Sequence, residues 1–323
     1  MAKAKEITGI DCAADALEWA GRVLSVRFEE VAGLRAAALD FSDIEGVHAM
    51  RVSIRRLRSA MRDFMPLMNK RPLKRAIKDL KRTADALGVV RDQDVAIAAL
   101  SQLQGEAETD AVREGIGNLL REREALRDAA RLDLTEALAV GRFNDLSERF
   151  TEAIAKATTG GGKKSNGRAA VSFNEAGHKV VARGWQDLYD LGASLYHPFN
   201  IEELHEMRIA AKRLRYAIEL FAACWGEKIA PFAEEVAEMQ SFLGEVHDCD
   251  LWIENMSRRL QKDLRGAGSK KGGGMSENDY TTATWLLSEF IRKRTKEYRS
   301  ALRLWSEWKI NGFAERMRAM IQS

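Results

Sequence analysis

Proline, cysteine and long apolar runs are all scarce in this chain, and each shortage removes a class of protein. Four prolines in 323 residues leave little to interrupt helices, and the alternating β-branched runs that mark half-buried strands are missing. Three cysteines, Cys12, Cys224 and Cys249, are an odd number without framework spacing; they suit free thiols in a reducing, cytoplasmic compartment. No run of ~18 apolar residues occurs, so no membrane span is expected. The opening MAKAKEITGI lacks the apolar core of a secretion signal. Enzyme signatures are missing too: no His-Glu-x-x-His, Cys-x-x-Cys, Gly-x-Ser-x-Gly or Gly-x-Gly-x-x-Gly stands in a usable setting. The sequence therefore assigns no catalytic residue, no cofactor and no metal site, and the protein reads as a non-enzyme. GGGKKS within Thr158–Arg168 has neither the spacing nor the preceding strand of a phosphate-binding loop.

What remains is rich in Ala, Leu, Glu, Arg and Lys, the strong helix formers. An all-α fold follows. Net charge is only +3, so general stickiness to polyanions is not implied; the distribution is what matters. Between Ile44 and Arg91 stand 13 Lys and Arg against 4 Asp and Glu. The helix around Phe232–Gln240 is acidic instead, with Glu234, Glu235 and Glu238.

The basic region contains a repeat. His48–Phe64, HAMRVSIRRLRSAMRDF, returns without a gap as His205–Phe221, HEMRIAAKRLRYAIELF. At ~100° per residue, Met50, Ile54, Leu57, Met61 and Phe64 form an apolar face. His48, Arg51, Arg55, Arg58 and Arg62 form a neighbouring row at steps of three and four, where side chains stack. The second copy offers His205, Arg208, Lys212 and Arg215, and Glu219 ends its row. Like charges stacked in this way repel by a few tenths of a kcal/mol per pair, which an anion would relieve. A second shared block is LGVVRDQDVAI at Leu87–Ile97 and LGEVHDCDLWI at Leu243–Ile253. Its Gly88 and Gly244 suit left-handed helix ends, and Asp92, Asp94, Asp248 and Asp250 suit the start of a following helix.

The pattern H-x-x-R-x-x-x-[KR]-R-L-R, present twice and each time followed by that second block, resembles the CHAD domain, the conserved-histidine α-helical domain. The resemblance runs from about residue 10 to about residue 320. It implies two similar helical bundles whose basic surfaces bind inorganic polyphosphate, and with it association with polyphosphate granules or their proteins.

Helix-by-helix reading gives two bundles of about four main helices each, an internal tandem duplication with approximate two-fold symmetry. The first is expected over 1–157, a Gly-rich linker over 158–168, and the second bundle over 169–323. Leu264–Met275 is a second flexible stretch. The expected polyphosphate contacts are His48, Arg51, Arg55, Arg58 and Arg62 with His205, Arg208, Lys212 and Arg215. Lys78, Lys81 and Arg82 are added from the next helix, although they lie away from its apolar stripe. Arg292 and Arg294, aligned with Arg121 and Arg123, complete the set. Two other binding readings compete: a nucleic-acid-binding helical protein, since charge alone suits either partner, and a metal-chelating helical domain.

Overall fold

Helix is expected wherever apolar residues recur at 3.6-residue spacing between polar caps, and helix is what forms. The computed structural model describes Lys5, residues 7–159, 170–266 and 275–323, with 262–266 as backbone only. Among the described residues no strand is found; a lone antiparallel bridge joins Asp15 and Ser172. The helices are α1 (Ala16–Gly33), α2 (Arg35–Leu39), α3 (Ile44–Phe64), α4 (Lys70–Glu106), α5 (Asp110–Ala137) and α6 (Val140–Thr158). They continue as α7 (Phe173–Asp190), α8 (Ile201–Phe221), α9 (Ala230–Gly266), α10 (Glu277–Ile310) and α11 (Phe313–Gln322). Among the described residues, no helix is long and apolar enough to cross a membrane.

The chain makes two units. The first comprises Met1–Ala98, Glu122–Val180 and Glu219–Gly226; the second comprises Ala99–Arg121, Val181–Ile218 and Glu227–Ser323. Of the expected linker, 160–168 lie outside the described residues, as do 267–274 of the second Gly-rich stretch.

In the first unit α1 packs on α3 and α6. Phe28 stacks on Phe150 at 4.3 Å between ring centroids. Phe64 meets Phe221 edge-on at 5.5 Å, and Phe173 lies 4.9 Å from Phe221. Each such side chain, fully buried, contributes about 2–3 kcal/mol relative to exposure. Gly46 lets α3 cross α2: a Cβ there would lie 1.9 Å from the Ala37 carbonyl oxygen, so no other residue fits. In the second unit α9 packs along α10. Leu100, Ile116, Met256, Leu286 and Phe290 share one cluster, and Trp252 stacks on Phe290 at 4.9 Å. Phe313 closes α11 onto this unit by stacking on Trp308 at 4.3 Å.

Two sequence expectations fail in the same way. Gly88 and Gly244 end no helix: each lies inside one continuous helix, α4 or α9. Neither belongs to the positive-φ glycines, Gly9, Gly226 and Gly312. Asp92, Asp94, Asp248 and Asp250 accordingly cap nothing. The reason is tertiary. Buried Leu80, Leu87, Val90 and Asp94 keep a helical period straight through Gly88, and Leu243, Val246 and Asp250 do so through Gly244. That burial outweighs the roughly 1 kcal/mol by which glycine disfavours a helix interior. The chain ahead of α3 breaks at Leu34 into α1 and α2, and Leu126 and Leu132 of α5 stand exposed.

Candidate anion-binding helices

α3 starts where Asp43 accepts a hydrogen bond from the Glu45 amide at 2.8 Å, satisfying one of the orphan donors of the first turn. It stops at Phe64, one residue ahead of the Met65-Pro66 pair, as proline requires. Met50, Ile54, Leu57, Met61 and Phe64 are all buried, as the periodicity predicts. That anchoring fixes the rotation of α3 and so the direction of its basic row. His48, Arg51 and Arg55 are half-buried; Arg58 and Arg62 are exposed. The row spans about 21 Å from His48 to Arg62 at 1.5 Å per residue.

Residues Met65–Asn69 turn the chain back, so α3 and α4 form a helical hairpin. The Arg51 guanidinium donates to the Gly88 carbonyl at 3.0 Å and to Asp92 Oδ1 at 2.6 Å. An antiparallel pair that sets Arg51 against Gly88 sets Arg58 level with Lys81, seven residues on along one helix and seven back along the other. The same register sets His48 level with Arg91, whose charge bears on that imidazole. Arg58 and Lys81 are exposed, and among the described residues neither has an ion-pair partner. Lys78 is exposed as well, and Arg82 reaches Asp79 at 3.9 Å.

In the second unit the hairpin of α8 and α9 repeats this register. Arg208 lies over Gly244, its Nε 3.8 Å from where a Cβ would stand. His205 Nδ1 lies 3.2 Å from His247 Nδ1. His247 thus holds the place that Arg91 holds in the first unit. Asn200 Oδ1 accepts from the Glu203 amide at 3.3 Å and caps α8. Lys212 and Arg215 continue the row half-buried, and the Arg215 guanidinium lies 4.8 Å from the ring centre of buried Tyr216. Among the described residues Arg208 has no ion-pair partner.

All the histidines at the heads of these rows are held toward the neutral form. Burial lowers the pKa of His48, and the Arg91 and Arg55 charges lower it further against Glu45. Burial and then Arg208 and Lys212 lower that of His205, against Glu206. His247 goes furthest, down to about 4, through burial, Arg208, His205 and Lys212. A cationic environment that suppresses protonation is one that attracts anions.

Some predicted residues are otherwise engaged. Arg62 pairs with buried Asp63 at 2.8 Å while staying 39 % exposed. Arg292 is clamped by Glu289 at 2.6 Å on the surface. Arg294 is 12 % exposed, bound to Asp250 at 2.5 Å, and donates to the Pro198 carbonyl at 2.8 Å; it holds α10 to α9. Its counterpart by partner is Arg127, 3.9 Å from Asp94, one helical turn beyond the Arg123 that sequence alignment suggests. Arg56, constant in both copies, is buried in the first between Glu30 and Glu219. Sequence reading missed Arg91 and His247. The shared block at Leu87 and Leu243 was the available signal, since both stand at its fifth position.

The glycines beneath the arginines give a first prediction. A Cβ at Gly88 would meet Arg51 atoms only at 3.8 Å and beyond. Gly88→Ala is therefore expected to stabilise the protein by about 0.5–1 kcal/mol through helix propensity. Denaturant titration measures it, with polyphosphate affinity unchanged.

The CHAD domain model matches residues 22–257. The chain belongs to the CHAD domain family. Comparison with solved structures places a plant CHAD domain, from Ricinus communis, over 94 % of this chain and 96 % of its own, with a TM-score of 0.69 at 19 % identity. PptA from Streptomyces chartreusis superposes over 91 % of this chain and 100 % of its own, with a TM-score of 0.66 at 14 % identity. At these identities the likeness is one of fold, and it establishes the all-α CHAD architecture. No curated protein matches the chain.

Proposed function

We propose that this CHAD protein binds inorganic polyphosphate along the basic rows of α3 and α8 and does not turn it over. The observation that carries this reading is that each row is anchored by a buried apolar face and still presents cations to solvent. Arg58, Lys81 and Arg208 have no ion-pair partner among the described residues. Polyphosphate is a flexible chain of closely spaced anions, and a line of fixed guanidinium groups matches its oxygens fork to fork. Each charge-assisted hydrogen bond nets about 1.5–3 kcal/mol, so three or four give useful affinity after ordering costs. His48, Arg51, Arg55, Arg58 and Arg62 are the contacts in the first unit, with Lys78, Lys81 and Arg82 at the edge. His205, Arg208, Lys212 and Arg215 serve in the second. CHAD membership supports the choice of polyanion, because polyphosphate binding is general to the family. Its cellular expression would be association with polyphosphate granules in the cytoplasm.

Nucleic acid fits less well. Single-stranded nucleic acid is held by exposed aromatic platforms between basic residues, and the aromatic beside the second row, Tyr216, is buried. For metal chelation, no three His, Cys, Asp or Glu side chains come together as a donor set among the described residues. Competition at fixed salt decides between polyanions: long-chain polyphosphate should displace labelled single-stranded RNA, and stronger displacement by RNA would defeat the reading. Log affinity should fall with log salt by roughly 0.7 per phosphate neutralised, taking single strands as the guide.

Asp92 supplies a gain-of-function test. It occupies Arg51 at 2.6 Å but is 67 % exposed, so the pair is of the weak surface kind, worth about 0.2–1 kcal/mol. Asp92→Asn releases the guanidinium and removes a repelling carboxylate. Calorimetry should show polyphosphate affinity rising up to about fivefold; an affinity that does not rise would place Arg51 outside the contact.

A further inference from the structure

The two hairpins differ at one place that matters chemically. Level with the leading histidine of the row, the first unit has Arg91 and the second has His247. We propose that the His205–His247 pair makes the second unit's row a proton-gated polyanion site, while Arg91 gives the first unit's row a permanent charge at the same place. This rests on the polyphosphate reading above.

The geometry sets how the gate works. With Nδ1 facing Nδ1 at 3.2 Å, a neutral pair holds one proton between the two nitrogens, one ring donating and the other accepting. Adding a proton at an outer Nε2 leaves that contact intact and turns it into a charge-assisted hydrogen bond, which is stronger. Adding a second puts hydrogens on both facing nitrogens and breaks it. The pair is therefore built to take up one charge. The groups around it decide when. From α8, Arg208 and Lys212 oppose a charge on either ring, and Glu206 favours one on His205. On α9, Glu245 and Asp250 flank the pair in sequence, but each is already taken by α10, through Lys293 at 2.8 Å and Arg294 at 2.5 Å. Asp248 of α9 is exposed and has a partner of its own. With so little anionic compensation, the free protein leaves the pair neutral. A polyanion on Arg208 and Lys212 supplies the missing negative charge and draws the proton in.

The sign follows from linkage. The folded pKa of His247 is about 4, below the 6.5 of a free imidazole. Without ligand, then, stability declines as pH falls from the unfolded value toward the folded one, because the unfolded chain binds more protons. The ligand-bound form binds more protons than the free form, so affinity rises on acidification.

The test isolates one row at a time. Arg51→Glu with Arg58→Glu silences the first row, and binding of long-chain polyphosphate to this variant is followed by calorimetry at constant ionic strength. Between about pH 8 and about pH 6, affinity should rise about tenfold with uptake of about one proton per bound chain, read from two buffers of different ionisation enthalpy. Adding His247→Arg should lift the affinity at about pH 8 by about tenfold and cut the rise to under about threefold. In the opposite background, Arg208→Glu, the exchange Arg91→His should confer the rise on the first row. Helical circular dichroism checks that each variant is folded, and the reciprocal exchange keeps the test open if one does not fold. Unchanged pH profiles after both exchanges, or no rise in the parent, overturn the gate alone. No binding at any pH overturns the polyphosphate reading and the gate together.

Discussion

Arg58→Glu combined with Arg208→Glu is expected to weaken polyphosphate binding by about one to two orders of magnitude while leaving the fold intact. Each row loses one contact of about 1.5–3 kcal/mol, so the affinity of each row falls about 10- to 150-fold. Reversal, rather than removal, adds repulsion of the neighbouring phosphates and pushes the loss toward the upper end. The fold should survive because Arg58 is exposed, Arg208 is half-buried and neither supports an ion pair among the described residues. Thermal melting and helical content should match the parent, so a lost signal in calorimetry reads as lost contact. The slope of log affinity against log salt should also fall by about 0.7 for each phosphate contact removed. Full binding by this variant would leave the rows as solvated helix faces.

Arg294→Ala should do the reverse: a large loss of stability and little direct effect on affinity. Arg294 and Asp250 are 12 % and 8 % exposed, and the same guanidinium satisfies the Pro198 carbonyl. Taking away the arginine strands a buried carboxylate and a carbonyl. Breaking a buried pair from one side typically costs 3–5 kcal/mol. Denaturant titration should show that loss, and Arg294→Ala with Asp250→Asn should recover part of it, because the amide needs no counter-charge. A variant that melts like the parent yet binds polyphosphate poorly would return Arg294 to the binding surface.

The contrast between Arg58 and Arg294 shows how far sequence reading reaches. Periodicity locates α3, because Met50, Ile54, Leu57, Met61 and Phe64 fix a face and the cations fall beside it. It cannot see which cations are already spent. Arg55 and Arg58 look alike in one dimension, as do Arg292 and Arg294, and only the folded chain brings Asp250 to Arg294. The glycines mislead for a related reason. Gly88 followed by Asp92 and Asp94 reads as a helix end and a fresh start by local propensity, and the burial of Leu87, Val90 and Asp94 overrides it. Once the hairpin register is known, Arg91 and His247 become legible at once, for they stand level with residues that the repeat already marked.

The aromatic junction of Phe64, Phe173 and Phe221 has a consequence for how the protein is made. The first unit needs Phe173 from α7 and Phe221 from the tail of α8 to complete its interior, along with Glu219 to satisfy buried Arg56. A nascent chain cannot finish that interior until about Gly226 has left the ribosome. The earlier helices must wait, with Phe64 open to solvent for as long as the intervening residues take to be translated.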